Sequence, residues 1–262
     1  MRIASLQPSV TLTLDALGSL DALCAHTKYC LEALPELSAR QLPILADSWT
    51  TTTDELSAVR PDLVMASVPY RLESLAAVLK AGFPVLALAP HTLADVLHDT
   101  RLIARQVNRV DQAESIIAAF ESAIASVRSV AKDSSPLTVY CEEWGKPLIH
   151  SQPWVAELIG AVGGAFVGTP GAQTTAEAVL QANPDILIFA WCGAGDRVPL
   201  DRVIVQRSWQ HLDAVRNRHV YCIPDEYLNT PAIPSLTRGL AHLASALHPE
   251  LFPSESRLIT LR

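Results

Sequence analysis

Two unbroken apolar runs stand out along the chain, Leu63-Val64-Met65-Ala66 and Ile186-Leu187-Ile188-Phe189-Ala190, and the same polar phrase introduces both: Arg60-Pro61-Asp62 and Asn183-Pro184-Asp185. An unbroken run of strand length, as opposed to an alternating one, suits a parallel sheet covered by helices on both faces. Proline disfavours helical geometry in the residue before it, so each phrase stops a preceding helix, and the aspartate marks the turn. The repeat therefore predicts two similar helix-turn-strand units, the cores of two α/β lobes, with a cleft as the corollary.

The rest of the pattern fills in the lobes. Strands are expected near 3–6, 22–26, 44–46, 63–66 and 85–88 in the first, and near 137–141, after Pro184 and at 220–223 in the second, which closes with a helix at about 234–247. Ser9 is a candidate cap for a helix that Gly18 ends, Thr53 for the helix before Pro61, and 72–80 is amphipathic ahead of Gly82-Phe83-Pro84. From Thr92 to about Lys132 there is no proline or glycine. Apolar residues such as Val96, Ile103, Val107, Ile116, Ile117, Phe120 and Ile124 recur there at broadly helical spacing. Its second half, 110–132, predicts a helix on the order of 30 Å long. The expected fold is α/β, two Rossmann-like lobes with central parallel sheets joined by one long α-helix. The first lobe is 1–105, the linker helix 106–133 and the second lobe 134–262. A helical strut restricts lobe motion more than a glycine-rich hinge would.

Composition narrows the function. With 262 residues, 49% hydrophobic and 18% charged, the chain can bury one large or two modest cores and does not read as disordered. A net charge of −7, without a basic stripe, argues against a nucleic-acid binder and for small molecules or proteins as partners. Five irregularly spaced cysteines form no disulfide framework, which favours a reducing compartment. The given sequence begins at its first strand, with no charged n-region and h-region, and no apolar run spans a bilayer. The expectation is a soluble, cytoplasmic protein, or a periplasmic one if the start codon lies further upstream.

In open α/β sheets ligands bind at the carboxyl ends of the strands. The loops there hold Tyr29, Trp49 and Tyr70 in the first lobe, and Trp144, Trp154, Trp191 and Tyr227 in the second. That inventory suits a broad, flat, partly apolar ligand, though any one ring is as well explained by packing. His91, after Pro90 at a strand end, and His150 in a polar loop are placed to touch a ligand or a metal centre through an imidazole nitrogen, and Cys192 through its thiolate; each also reads as an ordinary loop or buried residue. Cys24, His26 and Cys30 offer soft ligands at a spacing too loose for a structural zinc site, so no metal is assigned. Glu142 and Glu143 are adjacent on a strand and point to opposite faces, which makes them poor acid-base partners. There is no nucleophile elbow, and the glycines from Gly160 to Gly171 match neither a dinucleotide nor a phosphate-loop spacing.

Several segments carry a resemblance along nearly the whole chain. Ile3-Ala4-Ser5-Leu6-Gln7-Pro8-Ser9-Val10-Thr11, Thr27-Lys28-Tyr29-Cys30, the Pro61-Asp62 strand and Asp213-Ala214-Val215-Arg216-Asn217-Arg218-His219-Val220-Tyr221 resemble the vitamin B12 and iron-siderophore substrate-binding protein family of ABC importers. Cys141-Glu142-Glu143-Trp144-Gly145-Lys146-Pro147, Trp154-Val155-Ala156-Glu157-Leu158, Gly163-Gly164 and Ala246-Leu247-His248-Pro249-Glu250-Leu251-Phe252 are most similar to its cobalamin-binding branch. The resemblance implies two lobes on one long helix and a corrinoid or other metal chelate held in a shallow cleft. Pro8 and Ser9 join the candidate ligand set, and Trp49 falls where cobalamin-binding relatives place a cleft aromatic. Glu73 falls where first-lobe carboxylates meet basic residues of an ABC permease. The expected function is capture of cobalamin, cobinamide or a related chelate as ligand, with no catalytic cofactor, for import or for handling inside the cell. The alternative is a metal- or cofactor-dependent enzyme that reuses the fold.

Overall fold

The structure is a computed structural model that describes residues 1–67, 72–132 and 134–261. Tyr70 lies outside the described residues. The chain divides into two compact units, one of residues 1–118 with 231–234 and one of residues 119–230 with 235–262.

The first unit holds strands β1 (Ile3–Ser5), β2 (Leu23–Thr27), β3 (Ile44–Leu45), β4 (Leu63–Ser67) and β5 (Val85–Leu88) and helices α1 (Pro8–Ala16), α2 (Lys28–Ala33), α3 (Thr53–Val59), α4 (Leu72–Lys80) and α5 (Leu93–Gln106). Its sheet runs in the order β3-β2-β1-β4-β5, and all four pairings are parallel. Successive residues feed opposite cores: Ile3, Leu63 and Met65 pack with Val10, Leu14 and Ile103 on one face, while Ala4, Val64 and Ala66 pack with Leu56 and Val78 on the other. Burial on both faces is why these strands read as unbroken apolar runs. Cys24 and Cys30 belong to those two opposite cores.

Two caps differ from expectation by one position or more. Pro8 occupies the first turn of α1 after Gln7, so Ser9 lies inside the helix and is buried; proline's fixed φ and missing N–H suit that first position. Helix α3 is capped by Thr52, not Thr53, because Glu55 three residues on closes a reciprocal capping box with it. The long helix α6 (Val110–Ala131) has 22 residues, about 33 Å at 1.5 Å per residue, and the division between the units falls within it.

The second unit contains β6 (Leu137–Gly145), β7 (Leu148–His150), β8 (Gly164–Phe166), β9 (Gln173–Thr174), β10 (Ile186–Phe189), β11 (Val220–Cys222) and β12 (Ile259–Thr260). Its helices are α7 (Pro153–Ala161), α8 (Ala176–Ala182), α9 (Leu200–Gln206), α10 (Asp213–Arg216), α11 (Asp225–Leu228) and α12 (Ile233–Leu247). This sheet has the expected parallel centre and is mixed at its margins. The parallel centre is β8-β6-β10-β11, and β7, β9 and β12 are antiparallel additions. Strand β7 follows from the length of β6, which runs on to Gly145 before the chain reverses over Lys146-Pro147.

The repeated phrase turns out to be a clamp. Arg60 and Asn183 end α3 and α8 in the left-handed region, at φ 45° and 42°, so the pre-proline residue adopts neither helical nor extended geometry. The aspartate then reaches to the neighbouring strand: Asp62 accepts the backbone N–H of Arg2 at 2.7 Å, just before β1, and Asp185 accepts both the N–H (2.8 Å) and the hydroxyl (2.6 Å) of Thr138 in β6. Each copy thus sets the strand it launches beside the first strand of its unit. Because Asp185 is half-buried and holds two donors, Asp185→Ala is expected to cost about 1–3 kcal/mol, whereas the exposed Asp62→Ala should cost about 1 kcal/mol or less. Urea unfolding of the two variants measures the contrast.

Candidate functional site

Both sheets place a topological switch point next to the clamped strand. In the first unit the strand order reverses between β1 and β4; in the second, β8 and β10 flank β6 on opposite sides. Ligands of open α/β sheets bind outside the carboxyl ends at such points. The positions concerned are the ends of β1 and β4, at Leu6 and Ser67, in the first unit, and the ends of β6 and β10, at Glu143-Trp144 and Trp191-Cys192, in the second.

At the strand ends of the first unit, Pro8 begins α1, and the Gln7 side-chain amide donates to the Ser48 hydroxyl beyond β3. Tyr29 is exposed at the start of α2, with the Lys28 ammonium 4.7 Å from its ring centroid. Trp49 is exposed after β3, where Asp47 accepts its backbone N–H at 2.9 Å. His91 is exposed after β5 and its backbone N–H donates to Asp95 at 3.0 Å. That bond and a second from Thr92 hold the Asp95 carboxyl below its ordinary range. Glu73 is exposed in the first turn of α4.

In the second unit the adjacent glutamates go opposite ways, as strand alternation requires. Glu142 is fully buried. It receives both arms of the Arg207 guanidinium at 2.7 and 2.8 Å, the Trp191 indole N–H at 2.7 Å and the Tyr140 hydroxyl. Arg207 in turn lies 4.8 Å from the Trp209 ring centroid. Trp191 is also fixed by Gly145: a Cβ there would come within 2.5 Å of the indole. The ring is therefore a rigid, half-buried wall at the end of β10.

Glu143 heads the other group. The Gln152 amide donates to it at 2.6 Å and the Cys192 thiol at 3.7 Å, while the Asn229 amide donates to Cys192 Sγ at 3.3 Å and to the Ala190 carbonyl at 2.6 Å. Asp225, at the start of α11, accepts the backbone N–H groups of Gly193 and Gly195 at 2.8 and 2.7 Å. Burial raises the carboxyl pKa of both Glu143 and Asp225. Desolvation of the Cys192 thiol, then the negative charge of Glu143, raises its pKa, although the residue as a whole is exposed. Among the described residues, no group of three or more His, Cys, Asp or Glu side chains is arranged to hold a metal ion.

The remaining candidates lie inside. Trp154 is 3% exposed and its indole N–H donates to the Leu228 carbonyl at 2.8 Å. His150 is buried edge-on to Tyr140, 5.4 Å between centroids, with Nδ1 3.1 Å from the Ala172 carbonyl. Its ring fills the space that a side chain at Gly168 would need. Tyr227 is buried against His242 and between Arg238 and Arg257. Ser9, His150, Trp154 and Tyr227 are all buried within their units. Sequence reading missed Gln152, Asp225 and Asn229, although Asp225 and Asn229 directly follow a recognised strand at helical i, i+4 spacing.

The model of a family described as periplasmic binding protein matches residues 3–227, and the chain belongs to that family. No curated protein matches significantly. Among solved structures, the chain is similar to the periplasmic vitamin B12 binding protein of Vibrio cholerae, at TM-score 0.75 and 22% identity over 95% of this chain and 96% of that one. It is similar also to a periplasmic heme binding protein from Pseudomonas aeruginosa, at TM-score 0.86 and 17% identity over 100% and 98%. A third is the petrobactin-binding protein of Bacillus subtilis, at TM-score 0.78 and 20% identity over 94% and 91%. Likeness at these identities establishes the shared fold. Among the described residues, no helix is long and apolar enough to cross a membrane.

Proposed function

We propose that the chain is a substrate-binding protein of the ABC-importer type that captures a metal chelate, a corrinoid such as cobalamin or cobinamide or a related compound, and that it is not a catalyst. The observation that carries this is the aromatic surface at strand carboxyl ends in each unit: the exposed Tyr29 and Trp49 in one, and the exposed Trp144 with the half-buried Trp191 in the other. Flat aromatic faces suit a flat, partly apolar macrocycle. The vitamin B12, heme and petrobactin binders of the same fold support the ligand class. Glu73 is the candidate contact to a permease.

Titration with hydroxocobalamin or cobinamide is expected to perturb the visible spectrum and to raise the thermal midpoint, because a ligand that binds only the folded state stabilises it. Trp49→Ala should weaken that response. An unchanged spectrum and midpoint with corrinoids, haem and ferric siderophores alike would sink the reading, and turnover of the chelate would replace it with an enzymatic one.

A further inference from the structure

The second unit's strand ends have an uneven hydrogen-bonding character. Several of their neutral donors are already engaged within the protein. The indole N–H of Trp191 goes to Glu142 and that of Trp144 to the Lys146 carbonyl. The Cys192 thiol goes to Glu143, and the backbone N–H groups of Ala190, Cys192, Gly193, Ala194 and Gly195 all have acceptors. Both hydrogens of the Asn229 amide are engaged, and because its nitrogen must face the Ala190 carbonyl, the amide orientation is fixed.

The acceptors are in surplus. Glu143 and Asp225 each receive two donors, leaving about half of a carboxylate's four lone-pair sites open. Among the described residues, the buried Asn229 side-chain oxygen, on the amide whose nitrogen meets Ala190 and Cys192, has no partner. The nearby guanidinium groups do not offset this: Arg207 is bound to Glu142, and Arg257 to Asp196 and Glu226. The other cations of these loops, Lys146 and Arg197, are exposed.

We propose that this surface selects chelates whose rim donates hydrogen bonds, as primary amides do, and rejects those whose rim carries carboxylates. The selection rests on the chelate-capture reading above and narrows it. An amide N–H directed at Glu143 or Asp225 supplies a missing donor, whereas a carboxylate meets like charge with only the solvent-exposed Lys146 and Arg197 to balance it, and exposed ion pairs contribute little.

Cobinamide and cobyrinic acid test the idea, since they share the corrin ring and differ in rim amides against rim carboxylic acids. At pH 7 and low salt, the acid is expected to bind at least about tenfold more weakly, with the gap narrowing in high salt. Glu143→Gln should also narrow it, by removing charge and adding a donor. Equal affinity for the two corrinoids, or tighter binding of the acid or of haem with its propionates, overturns the selectivity and leaves chelate capture standing. Failure to bind any of the three overturns the selectivity, and failure with ferric siderophores as well overturns both.

Discussion

Arg207→Met is expected to destabilise the second unit by about 3–5 kcal/mol, the cost of leaving a buried charge without its counter-ion. Glu142 is fully enclosed, and Arg207 supplies two of the hydrogen bonds that compensate its removal from water. Tyr140 and Trp191 still donate in the variant, but neither brings positive charge. The loss registers as a lower urea midpoint. A partner change, Glu142→Leu with Arg207→Met, should recover much of it, since an apolar pair of similar volume often replaces a buried ion pair at little cost. A double variant no better than the single one would show that the pair is not the source of the loss. Because Glu142 also holds the Trp191 indole, the single variant should loosen that wall and blunt the chelate response as well.

Trp154→Ala should cost a comparable amount, about 3–5 kcal/mol, through a large cavity and an unpaired Leu228 carbonyl. The informative contrast is Trp144→Ala. That ring is 44% exposed at the end of β6, so its removal should change stability by less than about 1 kcal/mol while weakening chelate binding. Thermal denaturation and chelate titration on both variants separate the two roles. If Trp144→Ala unfolds the protein, or Trp154→Ala leaves stability untouched, the assignment of inside and outside is wrong.

These two tryptophans also show where the sequence was and was not legible. The strands could be read because burial on both sheet faces leaves a local mark, an unbroken apolar run after a helix stop, and β4 and β10 follow from it directly. The long helix was visible as a stretch without proline or glycine. What could not be read depends on partners distant in the chain. A strand-end loop and a helix facing the core can both carry tryptophan; only the contact of Trp154 with Leu228, 74 positions away, decides that this one is inside. The same holds for Glu142: alternation separated it from Glu143, but its partner Arg207 is 65 positions on. The antiparallel strands β7, β9 and β12 escaped because they are two or three residues long, too short for a periodic signal.

The loop from Ala190 to Gly195 has a thermodynamic corollary. Its amides are tied to Glu142, Glu143, Trp191 and Asp225 by folding itself. Conformational entropy in this segment is therefore lost when the chain folds and not when a ligand arrives. Association at this surface begins from an ordered receptor, so its free energy is not diminished by freezing a mobile loop.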